Sequence, residues 1–155
     1  MLLSREILKE VCRELKKSGK KIVFTNGCFD VLHSGHTKYL SESKKLGDIL
    51  VIGLNSDNSV KRLKGENRPI NNELDRAEVL SSLASVDFVS IFDEDTPFEL
   101  IKCVTPDVLT KGGDYNPKNI VGADYVISNG GELVIINLVE GKSSSSIINK
   151  MNINK

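Results

Sequence analysis

The sequence carries no surplus of charge of either sign, with 21 lysine plus arginine against 21 aspartate plus glutamate. Neither nucleic acid nor a membrane surface is therefore an expected partner, and any anion site has to be built locally. Long apolar runs are missing too. None approaches the roughly 20 residues that a membrane span needs, and Met1 to Glu6 has no signal-peptide core, so the expected location is cytoplasmic. Cysteine is scarce: Cys12, Cys28 and Cys103 are odd in number and scattered, which suits reduced thiols rather than a disulfide framework. Histidine is scarcer still, and the only two, His33 and His36, share one short stretch.

What remains is the material of one α/β domain. With 155 residues, 39% of them hydrophobic, the chain can bury a proper core, and a single domain over 1–155 is expected. Ile7, Leu8, Val11 and Leu15 recur at helical spacing between Ser4 and Lys17, and Gly19 follows as a stop, giving a leading amphipathic helix within 1–18. Short apolar runs then come at Ile22 to Phe24, Ile49 to Leu54, Val86 to Phe92, Val108 to Leu109 and Leu133 to Leu138, separated by segments that can be helical. This alternation predicts a Rossmann-like, five-stranded parallel sheet with helices on both faces. Helices are expected over Gly35 to Leu46 and Asn72 to Ala84. A further one begins at Thr96-Pro97-Phe98-Glu99, where the Thr hydroxyl and Glu carboxylate can cap reciprocally, and Pro106 closes it.

The histidines stand in Asp30-Val31-Leu32-His33-Ser34-Gly35-His36, directly after the first apolar run, where the chain leaves the carboxyl end of a strand for a helix. Phosphate-bearing ligands bind at such places in α/β proteins. Three accounts compete. In the first, Gly35 lets a triphosphate approach the backbone, the helix mouth supplies N–H donors, and both imidazoles, three residues apart, touch the reacting phosphorus group. In the second, Cys28, Asp30, His33 and His36 bind a metal, although no second cluster completes a zinc site. In the third, the rings only cap and pack.

The string Phe24-Thr25-Asn26-Gly27-Cys28-Phe29-Asp30-Val31-Leu32-His33-Ser34-Gly35-His36 closely resembles the first motif of the nucleotidyltransferase superfamily that includes the cytidylyltransferases. Farther along, Asn55-Ser56-Asp57, Arg62-Leu63-Lys64-Gly65, Arg68-Pro69, Pro106-Asp107 and Lys111-Gly112-Gly113-Asp114-Tyr115 look like the adenylyltransferase domain of the ADP-heptose synthases. That resemblance runs from Lys21 to Met151. It implies the HxGH nucleotidyltransferase fold and transfer of AMP from ATP, with Mg2+, to a sugar 1-phosphate, D-glycero-β-D-manno-heptose 1-phosphate, giving ADP-heptose and pyrophosphate. It also implies a homodimer, and a separate sugar kinase to supply the acceptor.

Placed on this sequence, the resemblance makes His33, His36 and Lys64 catalytic. Asn26, Gly27, Phe29, Asp30, Gly35, Arg76 and Ser143-Ser144-Ser145 then belong to the nucleotide site, and Asp57, Lys111, Gly113 and Asp114 to the acceptor site. No resident metal is expected. Plainer readings stand beside several of these: Phe29 as core, Asp30 as a turn cap rather than a partner of a magnesium-bound phosphate, Arg76 in a salt bridge, the glycines of 112–113 as a tight turn, and the serines as a helix cap. Leu138 stands where cytidylyltransferases carry an arginine, so the triphosphate must be held differently from theirs. The competing functions are a related transferase acting on glycerol 3-phosphate with CTP or on FMN with ATP, and a non-catalytic nucleotide-binding or metal-binding module.

Overall fold

The computed structural model describes residues 1–113, 116, 119–137 and 143–152. Five parallel strands, β1 (Ile22–Gly27), β2 (Ile49–Asn55), β3 (Phe88–Phe92), β4 (Val108–Gly112) and β5 (Glu132–Ile136), lie in the order β3-β2-β1-β4-β5. Helices α1 (Arg5–Lys17), α2 (Ser34–Lys44), α3 (Asp57–Lys64), α4 (Glu73–Ser81), α5 (Phe98–Val104), α6 (Ala123–Ser128) and α7 (Ser144–Asn152) fill the connections. The winding reverses between β1 and β4, with β2 and β3 added on one side of β1 and β4 and β5 on the other, so the carboxyl ends of β1 and β4 border a crevice.

Burial on both faces explains why the strands read as unbroken apolar runs. Ile22 and Phe24 pack with Leu8, Cys12, Leu100, Ile101 and Val126 on one side of the sheet. Val23 points the other way and joins Tyr39, Leu40, Ala77, Leu80 and Val108. Phe24, Leu50 and Ile52 are fully buried, and truncating any of them to alanine should cost about 2–5 kcal/mol.

At the amino-terminal rim, three aspartates fix where strands begin. Asp48 Oδ2 accepts from the Lys21 amide at 2.8 Å, Asp107 Oδ2 from the Ile22 amide at 2.8 Å, and Asp87 Oδ2 from the Leu50 amide at 2.7 Å.

Several local expectations are not met. In α1, Cys12 is 1% exposed while Ile7 is 55% exposed, so the inward stripe runs through Leu8 and Cys12. The cap foreseen at Thr96 is absent: Pro97 is the N-cap of α5 with no side-chain hydrogen bond, and Glu99 instead pairs with Lys102 at 2.8 Å. Two unforeseen features are α3, capped by Ser56, and a parallel bridge from Leu2 to Val89 beside β3. Among the described residues, no helix is long and apolar enough to cross a membrane.

Candidate active site

Where β1 ends, the backbone turns sharply. Phe29 adopts φ 45°, an uncommon conformation for a bulky residue, and its ring is 7% exposed within the core. A Cβ on Gly27 would lie 3.0 Å from Phe29 Cε2, so this glycine first of all makes room for the phenyl ring. The packing thus turns Phe29 inward, with Gly27 and Phe29 also forming part of the cleft wall.

His33 is the N-cap of α2: its Nδ1 accepts from the Gly35 amide at 3.1 Å. That bond sets the neutral tautomer, leaving Nε2 to carry the proton. The His36 ring lies against it, with centroids 3.9 Å apart and planes at 31°, and meets the edge of Phe29 at 5.4 Å. Burial, and secondarily the neighbouring His33, pulls the His36 pKa down to about 4. His36 is therefore a neutral imidazole at physiological pH, and its buried Nδ1 has no hydrogen-bond partner among the described residues.

Asp30 does not cap its own turn. Its buried carboxylate reaches across 40 residues of sequence, with Oδ1 accepting from the Ile70 amide at 2.7 Å and the Asn71 amide at 3.0 Å, and Oδ2 accepting from Arg68 Nε at 2.6 Å. Arg76 is equally committed: 2% exposed, it donates to the carbonyls of Asn71, Cys28 and Asn55 and pairs with Asp57 at 2.7 Å. The plain salt-bridge reading describes Arg76 and Asp57, and neither lines the cleft.

Across the crevice, Lys111 Nζ donates to Asn26 Oδ1, joining β4 to β1. Burial pulls the Lys111 pKa down to about 8. Beneath this pair, Thr25, Tyr39, Ser43 and Thr110 form a buried hydroxyl network, with Thr25 Oγ1 and the Tyr39 hydroxyl 2.7 Å apart and Ser43 Oγ and Thr110 Oγ1 3.0 Å apart. Sequence reasoning missed it. The available signal was threonine recurring inside otherwise apolar strands, where an isolated hydroxyl would be costly to bury. Gly113 extends the ladder by donating to the Ile136 carbonyl at 3.1 Å with φ 90°, whereas Asp114 and Leu138 fall outside the described residues.

The serines at α7 divide their tasks. Ser143 Oγ caps the helix by accepting from the Ser146 amide at 3.1 Å, while Ser144 Oγ donates to the Val31 carbonyl at 2.8 Å and ties α7 to the histidine turn. Ser145 faces the same opening. The result is a cleft of about 440 Å³ that brings together Asn26, Gly27, Phe29, Asp30, His33, Gly35, His36, Lys64, Lys111 and Ser143 to Ser145. Arg68, from the basic segment between Lys61 and Arg68, lines it as well, as do Tyr39 and Asn55, which were unforeseen as site residues.

Its carboxylates are poor magnesium ligands. Asp30 is held by Arg68 and two amides, and Asp95 Oδ1 accepts from Arg62 at 2.8 Å. The donor set of the described cleft thus does not fit a protein-held magnesium ion.

The cytidylyltransferase-like family profile matches residues 24–149, which take in the histidine turn and the switch point. The chain belongs to the cytidylyltransferase-like family. Among curated members, the bifunctional protein HldE of a Nitratiruptor species is 56% identical over 94% of this chain, and that of Wolinella succinogenes 53% identical over 97%. The chain spans about 31% of the length of each. A crystal structure of the lipopolysaccharide core biosynthesis protein from Thermoplasma volcanium GSS1 superposes with a TM-score of 0.65 at 32% identity, covering 80% of this chain and all of that one. As in that neighbour, the cytidylyltransferase-like fold here is a parallel α/β sheet of Rossmann-like winding.

Proposed function

We propose that this cytidylyltransferase-like domain is an adenylyltransferase that moves AMP from ATP to D-glycero-β-D-manno-heptose 1-phosphate, releasing pyrophosphate and forming ADP-heptose. The observation that carries the reading is the stacked pair His33 and His36 at the mouth of α2, facing Lys111 across the switch point. Two donors and a cation around one crevice suit a phosphorus centre flanked by phosphates. The heptose acceptor is supported by the Lys111-Gly112-Gly113-Asp114 segment and by the similarity to the HldE proteins.

In this reaction an acceptor phosphate oxygen forms a bond to the α-phosphorus as the bond to the bridging oxygen of pyrophosphate breaks. The acceptor is already ionised, so no general base is required and positioning dominates. His33 is fixed by its bond to the Gly35 amide, and its ring lines the cleft. His36, kept neutral by burial, donates without adding a charge that the cleft would have to solvate. Lys111, whose desolvated ammonium is held by Asn26, gains most when an anion arrives. Lys64 adds a second cation at the end of α3.

With the reaction come a cytoplasmic setting, magnesium carried in by the nucleotide, and an upstream kinase that makes the sugar 1-phosphate. The test is pyrophosphate release with each of the four nucleoside triphosphates crossed against a panel of sugar 1-phosphates, glycerol 3-phosphate and FMN. Release only with ATP and the heptose phosphate is expected. Release with CTP and glycerol 3-phosphate, or with ATP and FMN, would move the domain to a related transferase, and release with no pair would leave a nucleotide-binding module.

A further inference from the structure

Arg68 has a geometry that its ion pair alone does not explain. Its partner, Asp30, is a buried anchor: side-chain exposure is 1% for Asp30 against 17% for Arg68, so of this pair at the cleft the guanidinium is the more open to it. Contact is through Nε alone, at 2.6 Å to Oδ2. The second carboxylate oxygen is filled by the amides of Ile70 and Asn71, which keeps Arg68 from making the two-pronged pair that arginine and carboxylate usually favour. Both terminal Nη groups are consequently left without a protein partner among the described residues, while Arg68 lines the cleft.

A planar fork suits this arrangement as an ammonium does not, because one edge can be fixed while the others present N–H donors. The demand for such a donor is visible in the local charge balance. A nucleoside triphosphate brings several negative charges at neutral pH, and of the other cleft-lining cations Lys64 sits at a helix end and Lys111 lies across the crevice. Asp30 is three residues before His33 in the same turn, so its guanidinium is held on the histidine side.

We propose that Arg68 is a ligand of the nucleotide's phosphates, pre-set by Asp30 acting as its positioning residue. The inference rests on the nucleotidyl-transfer reading and deepens it. Ordering the guanidinium before the ligand arrives removes part of the entropic cost of binding.

The test is calorimetric binding of inorganic tripolyphosphate and of adenosine to the full chain, beside pyrophosphate release, for wild type, Arg68→Gln and Arg68→Lys. The glutamine amide can still donate to Asp30, so the fold is kept, and thermal melts check this. Arg68→Gln should bind tripolyphosphate at least 10-fold more weakly with adenosine unchanged, and Arg68→Lys should recover only part of the loss. Equal weakening of both ligands would mean that Arg68 merely braces the loop and would overturn the proposal, as would wild-type affinity for tripolyphosphate in Arg68→Gln. If wild type itself binds neither tripolyphosphate nor ATP and releases no pyrophosphate, the nucleotidyl-transfer reading fails and this inference falls with it.

Discussion

Lys111 Nζ donates to Asn26 Oδ1 across the boundary between β4 and β1, where the sheet reverses its winding. The pKa of the ammonium falls from its ordinary value of 10.5 to about 8 through burial. The sign follows directly. In the unfolded chain Lys111 stays protonated up to about 10.5, so between pH 8 and 10.5 the unfolded state holds more protons and stability rises with pH. Below about 8 the desolvation cost is carried in full, until a bound anion offsets it.

For activity, kcat/KM should fall as pH rises through about 8, since the free protein then loses the Lys111 charge. Arginine keeps its charge throughout that range. A pH profile of kcat/KM for wild type and Lys111→Arg checks this: the basic limb should move upward in the arginine variant. A limb that stays near 8 in Lys111→Arg would assign the titration to another group.

His33 both caps α2 and faces the cleft, and the two tasks are separable. Asparagine is a good cap, so His33→Asn should melt within about 1 kcal/mol of wild type, yet lose turnover by about 10²–10³. His36→Ala should lose a similar factor. Pyrophosphate-release rates beside denaturation curves decide it, and wild-type turnover in either variant would leave the imidazoles with a packing role only.

Acid should act through His36. Its pKa is near 4 in the fold against 6.5 when unfolded, so as pH falls through that window the unfolded chain takes up a proton that the fold resists, and stability declines. His36→Gln should show a shallower loss of stability between pH 6.5 and 4. Parallel curves for the two proteins would contradict the shift.

Arg76 is expected to matter for folding. Arg76→Met leaves the carbonyls of Cys28 and Asn55 and the carboxylate of Asp57 without their donor, at a cost of about 3 kcal/mol or more. Urea denaturation with an unchanged slope and a lower midpoint would show this, whereas a change below about 1 kcal/mol would mean that water replaces the guanidinium.

The sheet was legible in the sequence because strands buried on both faces leave continuous apolar runs, as in Ile49 to Leu54, and because helical segments fall between them. The histidine turn was legible because both rings and Gly35 are neighbours in the chain. What escaped depends on distance along the chain. Asp30 reads as a local cap, and only the fold brings it to Arg68, Ile70 and Asn71. Arg76 sits in a plausible nucleotide-facing place, but its partners come from three separate segments and draw it inward. The Thr96 cap fails for a different and local reason, as Glu99 pairs with Lys102 three residues on.

The aspartates Asp48, Asp87 and Asp107 hold strand starts at the end of the sheet remote from the cleft. This carboxylate anchorage therefore lies at the opposite pole of the strands from the chemistry. Damage to these aspartates should lower how much folded protein survives without changing how fast each surviving molecule turns over.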